Sequence, residues 1–87
     1  HARVDELLDH HARRLDECAA IVAGDSLNPY EVARRMTWTR RQRAFDDLDR
    51  FNQVLAVIET AAHLDVLVTQ NRARRQEVDG VRRYTSV

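Results

Sequence analysis

Eighty-seven residues suffice for one hydrophobic core and not for two, so the chain is expected to be a single domain, residues 1–87. Its 14 basic residues are all arginine and are matched by 14 acidic ones, which argues against a nonspecific nucleic-acid coat. The lone cysteine, Cys18, excludes an internal disulfide and a thiolate zinc site and suits a reducing cytoplasm, and no uncharged apolar run is long enough to span a membrane.

The chain begins at His1, without Met, and reads as a piece of a longer polypeptide. From Val4 onward, Val4, Leu7, Leu8, His11, Leu15, Cys18, Ala19 and Val22 recur in steps of three and four. That spacing predicts an amphipathic helix ending at Gly24. Cys18 falls on its inward stripe, where a cysteine serves as a small apolar residue rather than a nucleophile.

Asn28-Pro29-Tyr30-Glu31 is a helix start: Asn caps, Pro occupies the first helical position, and Glu reaches back to the cap amide. A second helix is predicted from Pro29 to about Thr37, with Val32, Ala33 and Met36 inward and Arg34 and Arg35 outward. The stretch from Trp38 to Phe45 has no period and is expected to be a connection anchored by those two aromatics.

A third helix is predicted from near Asp46 and Asp47, whose acids suit the positive end of its dipole, to about Gln70, with Asn71 as a left-handed stop. It carries two apolar stripes, one of Leu48, Phe51, Leu55, Ile58 and Ala62, the other of Val54, Val57, Ala61, Leu64 and Val68. One stripe is all that a small domain ordinarily covers. Asp79-Gly80 then predicts a two-residue hairpin turn that sets Val78 opposite Val81, Glu77 opposite Arg82 and Arg75 opposite Tyr84, the last as an arginine over a ring. Three helices followed by a β-hairpin wing is the order of a winged helix, so the predicted class is mainly α. The short strand expected after the second helix would be reduced to a few residues around Trp38, or absent.

Charge alternates along the chain: residues 34–43 hold five arginines and no acid, whereas residues 44–69 hold one arginine and five acids. A recognition helix entering DNA by its N-terminal end would present Asp46, Asp47 and Asp49 to phosphates, which opposes binding. Nucleic-acid contact is therefore the alternative reading, resting on Arg40, Arg41, Arg43, Arg72, Arg74, Arg75, Arg82 and Arg83. His1, His10, His11 and His63 make no metal site: adjacent helical histidines diverge, and Glu6 with His10 supplies one pair where zinc needs three or four ligands. No phosphate loop, activated nucleophile or carboxylate dyad is present, so no catalytic residue and no cofactor is assigned. Glu59 and His63, four apart, are expected to pair structurally. The surplus apolar face of the third helix is expected to meet another protein surface, through Val57, Ala61, Leu64 and Val68 with Trp38 and Phe45.

Taken together, His10-His-Ala-Arg-Arg-Leu-Asp-Glu17, Tyr30-Glu-Val-Ala-Arg-Arg-Met-Thr-Trp38 and Glu59-Thr-Ala-Ala-His-Leu-Asp-Val-Leu67 before a basic hairpin resemble one family. They look like the winged-helix domain that ends many metallo-β-lactamase-fold hydrolases, the hydroxyacylglutathione-hydrolase-like or lactamase-B-like proteins. The resemblance runs from about Leu7 to Thr85, and its most telling part is Glu59, His63, Leu64 and Leu67. It implies a non-catalytic accessory domain whose partner is the catalytic domain of the same protein, near the substrate entrance, or a second copy in a homodimer. Zinc is implied only for that catalytic domain, whose H-x-H-x-D-H motif this sequence lacks. Where the resemblance leads one to expect Gly at the end of the third helix, Asn71 stands.

Overall fold

The computed structural model describes residues 2–38 and 42–87 and, in the first helix, the side chains from Leu8 onward. Its elements in order are α1 (Ala2–Val22), α2 (Pro29–Arg35), β1 (Thr37–Trp38), β2 (Arg43–Ala44), one 3-10 turn (Phe45–Asp47), α3 (Arg50–Thr69), β3 (Ala73–Val78) and β4 (Val81–Ser86). Among the described residues the chain is helix-rich, with three helices and two antiparallel strand pairs, the second of them a hairpin at its C-terminal end. Val4 and Leu7 of the predicted first stripe lie outside the described side chains.

Local chemistry sets most of the boundaries. Asn28 and Glu31 form a reciprocal capping box: the Glu31 amide donates to Asn28 Oδ1 at 2.8 Å and the Asn28 amide donates to Glu31 Oε1 at 3.0 Å. At the other end of the chain's longest apolar run, Asn71 takes φ 60°. Its amide reaches Val68 O (3.0 Å) and that of Arg72 reaches Leu67 O (2.8 Å), which closes α3 with the paired bonds of a left-handed stop. Asp79 and Gly80 have φ 52° and 80°, the two left-handed residues that a tight hairpin turn of matching twist requires. The register is the expected one, Val78 opposite Val81, Glu77 opposite Arg82 and Arg75 opposite Tyr84.

Three boundaries differ from expectation. α2 stops at Arg35, because Met36 is already extended (φ −95°, ψ 160°) and leads into β1. The segment read as an aperiodic connection is a small antiparallel ladder, Thr37 opposite Ala44 and Trp38 opposite Arg43. Strands of two residues are too short to show alternation, so no pattern could announce them. Finally, Asp46 and Asp47 belong to the 3-10 turn, and it is Asp49 that caps α3, accepting from the Asn52 amide at 2.8 Å.

α3 is the central element, packed against α1, α2 and β3. By length and composition alone it could cross a membrane. Here it serves as the core helix, burying Ala56, Thr60, Leu64 and Leu67 against Cys18 and Val22 of α1, Val32 and Met36 from α2 and its end, and Ala73 and Tyr84 of the hairpin. The buried Thr60 hydroxyl is satisfied within its own helix, donating to Ala56 O at 2.8 Å. The hairpin is tied to the body twice. Leu27 and Tyr84 exchange two backbone hydrogen bonds (2.9 and 2.7 Å), and Tyr84 Oη donates to Asp65 on α3 at 2.6 Å. The expected stacking of Arg75 on the Tyr84 ring is replaced by a shared acceptor, since Arg75 Nη1 also donates to Asp65 Oδ1, at 3.1 Å. One side of α3 stays uncovered, with Phe51, Val54, Leu55 and Ile58 exposed along it.

Candidate interaction surface

Two clefts meet at Trp38 and Glu59. The first, about 550 Å³, lies between α1 and the β1–β2 ladder, with charged and polar side chains among its walls, including Arg13, Arg14, Glu17 and Gln42. The second, about 440 Å³, is bounded by Trp38, Leu48, Asn52, Leu55, Ala56 and Glu59 along the N-terminal half of α3.

Arg14 organises the polar cleft. Its Nη1 donates to Thr37 O at 2.9 Å and to Glu17 Oε2 at 3.3 Å, its Nη2 lies 3.7 Å from Glu59 Oε2, and its guanidinium carbon sits 4.3 Å above the Trp38 ring. With only 12% of its side chain exposed, this is an arginine placed between two carboxylates and an aromatic face, the setting in which a planar cation is held best. Trp38 is fixed from behind by its Nε1, which donates to Ala33 O at 2.9 Å. α1, α3 and the ladder are therefore clamped together at one point.

A second α1–α3 contact lies nearby. His63 Nδ1 is 2.8 Å from Glu59 O, and a carbonyl only accepts, so this nitrogen carries a proton. His11 Nδ1 stands 3.4 Å from His63 Nε2, and one of these two nitrogens donates to the other. The expected pairing of the Glu59 and His63 side chains is thus replaced: His63 takes the backbone carbonyl, while the Glu59 carboxylate turns to Arg14. Among the described residues no three His, Cys, Asp or Glu side chains come together as metal ligands. The Glu6–His10 pairing lies outside the described side chains. Cys18 is sealed in the core beside Met36, and burial pushes its thiol up to about 11 despite the opposing pull of Arg14. At neutral pH it is a thiol and not a nucleophile.

The six residues expected to face a partner divide in an informative way. Leu64 is 0% exposed, Trp38 7% and Phe45 2%, so all three are committed to this chain's own core. Val57, Ala61 and Val68 are half-buried at its edge. The other stripe is turned outward except at Leu48, which packs against the core: Phe51 is 71% exposed and Ile58 60%, with Leu55 also exposed, and Val54 of the second stripe and Val66 are exposed beside them. The face of α3 that is buried runs through two small residues, Ala56 and Thr60, together with Leu64 and Leu67, and Thr60 lies against Met36 at the end of α2.

Of the arginines considered for nucleic-acid contact, Arg40 and Arg41 lie outside the described residues. Arg72 is paired with Asp16 (2.8 Å), Arg75 with Asp65 (3.1 Å) and Arg83 with Glu31 (3.3 Å) and the carbonyl of Ser26. Asp65 also raises the basicity of Arg75 through that hydrogen bond. Arg43, Arg74 and Arg82 are exposed. Half of the described set is therefore engaged within the fold, tying the hairpin and the end of α3 to α1, α2 and α3.

No family model matches the chain, and no curated protein matches it. Among solved structures it is similar to the crystal structure of a beta-lactamase domain protein from Burkholderia ambifaria, with a TM-score of 0.80 and 28% identity. The likeness covers 99% of this chain and 24% of that one, so the chain spans about a quarter of its structural neighbour. It supports a link to proteins of the metallo-β-lactamase fold.

Proposed function

We propose that this chain is the winged-helix accessory domain of a cytoplasmic metallo-β-lactamase-fold hydrolase, non-catalytic itself, packing on the catalytic domain and helping to shape the substrate entrance. The observation that carries the reading is the structural likeness along nearly the whole chain to one quarter of a beta-lactamase domain protein. The order of three helices and a closing hairpin, and the isolated Leu27–Tyr84 bridge that adds a third backbone partner to that hairpin, agree with a wing packed beside α3. The clefts around Arg14 and Trp38 hold groups already satisfied by one another, which suits a rigid recognition surface better than bond-making.

The metal chemistry belongs, in this reading, to the catalytic domain: zinc there would activate water, and no residue of this chain is asked to hold it. The test is the reading frame upstream of His1. An H-x-H-x-D-H cluster within the preceding two hundred or so codons is expected. A start codon directly before His1 would remove the hydrolase reading.

A further inference from the structure

α1 is held in two unequal parts. From Arg14 onward it is anchored by the Arg14 clamp and by Cys18 and Val22 in the core. Before Arg14 every described side chain, Leu8 to Arg13, is exposed. Among the described residues, the one hydrogen bond from that stretch to α3 is made by His11. Its Nδ1 stands 3.4 Å from His63 Nε2, with the ring centroids 5.6 Å apart and the ring planes at 27°. A segment that buries so little opens at small cost, so a single side-chain contact can govern it.

The protons in this contact can be counted. His63 Nδ1 keeps one in every state, because it faces the carbonyl of Glu59 at 2.8 Å. With both rings neutral, His63 Nε2 is bare and accepts from His11 Nδ1. With one ring charged, whichever of the two facing nitrogens lacks a proton accepts from the other. With both charged, N–H faces N–H: no acceptor is left, and two like charges meet. The charged groups facing the pair are Glu59, one helical turn before His63, and Arg14, one turn after His11. Arg14 is held by both Glu59 and Glu17, so this group has one carboxylate in surplus, which can balance one imidazolium and not two. His10, with its ring centroid 5.9 Å from that of His11, adds a third imidazole rather than an acid. Asp9, Arg13 and Asp65 each stand two positions from one of the rings and so lie round the helix from it, and Asp65 is already taken by Arg75 and Tyr84.

We propose that His11 and His63 form a proton-operated latch: it holds the N-terminal part of α1 on α3 while at most one of the two imidazoles is charged, and releases it when both are. His10 and Arg13 move with that part of the helix, and both line the cleft that α1 forms with Thr37, Trp38, Gln42 and Glu59. Acid therefore widens this cleft. The Arg14 clamp stays closed, since arginine and carboxylates keep their charges through the range in which imidazoles titrate. The latch is independent of the accessory-domain reading, because both of its rings and their partners belong to this chain.

The test is backbone hydrogen exchange in the full polypeptide that the gene encodes, at about pH 8 and about pH 5, either side of the usual imidazole range, corrected for the intrinsic effect of pH. On acidification the amides of residues 10–13 should open more readily by about fivefold or more, while those of residues 18–22 change by less than about twofold. His11→Gln puts a donor and an acceptor on one uncharged side chain, which can pair with either form of His63, so the acid response there should fall below about twofold. His10→Gln should keep the full response. A smaller rise in the unsubstituted protein overturns the proposal, and so does a rise that survives His11→Gln. Loss of the response in His10→Gln overturns it too, since the response would then belong to a different imidazole.

Discussion

At the scale of single residues, burial has changed what ordinary side chains can do. Cys18 lies among Val22, Val32 and Met36, and loss of solvent raises its thiol from 9.0 to about 11. The folded chain therefore holds this proton more tightly than the unfolded chain does. The resulting stability is complete below pH 9.0 and is lost as pH rises toward about 11, a contribution on the order of 2 kcal/mol. Tyr84 works in the same direction: burial first, and then its hydrogen bond to Asp65, raise its phenol. Denaturant titrations across pH 8 to 11 should show falling stability, with a shallower slope in Cys18→Ala. Native Cys18 should resist an aromatic disulfide reagent at pH 8, where only about a thousandth of such a thiol is ionised. The inward position of Cys18 was legible from its place in a three-and-four repeat. The partners of Glu59 and His63 were not, because Arg14 and the Glu59 carbonyl compete for them and neither is a neighbour in a pattern.

At the scale of elements, the ends of helices and the hairpin turn were readable because their chemistry is local. Asn28 and Glu31, Asn71, and Asp79-Gly80 each satisfy backbone groups within a few residues of themselves. Asn28→Ala should cost about 1 kcal/mol, measured by urea unfolding, with most of the loss recovered in Asn28→Ser. The orientation of α3 is another matter. Both of its stripes are apolar, and only packing against α1 and α2 turned Leu64 and Leu67 inward and left Phe51 and Ile58 outside. Leu64→Ala should therefore cost about 2–5 kcal/mol, and Ile58→Ala should stay within about 0.5 kcal/mol of the parent chain. Equal costs at the two positions would mean that the helix faces the other way.

At the scale of the whole molecule, the buried residues form one cluster and the outer face of α3 is left uncovered. Its charges are spent largely on itself. Arginines of the hairpin and of the end of α3 reach Asp16, Glu31 and Asp65, so the basic tail acts as a strap more than as a free cationic arm. The face of α3 that no part of this chain covers is apolar, through Phe51, Val54, Leu55 and Ile58. The amino-acid sequence by itself determined the three helices, the capping box, the hairpin and its register, since each follows from spacing or from residues within one or two turns of each other. Tertiary structure alone decided that Leu64 and Leu67 are core while Phe51 and Ile58 lie outside, that Trp38 seats Arg14, and that Thr37–Trp38 pair with Arg43–Ala44 as a ladder. Those outcomes depend on contacts between residues far apart in the chain, Cys18 and Val22 with Val32, Met36, Leu64 and Leu67, and Arg14 with Trp38, which no local spacing records.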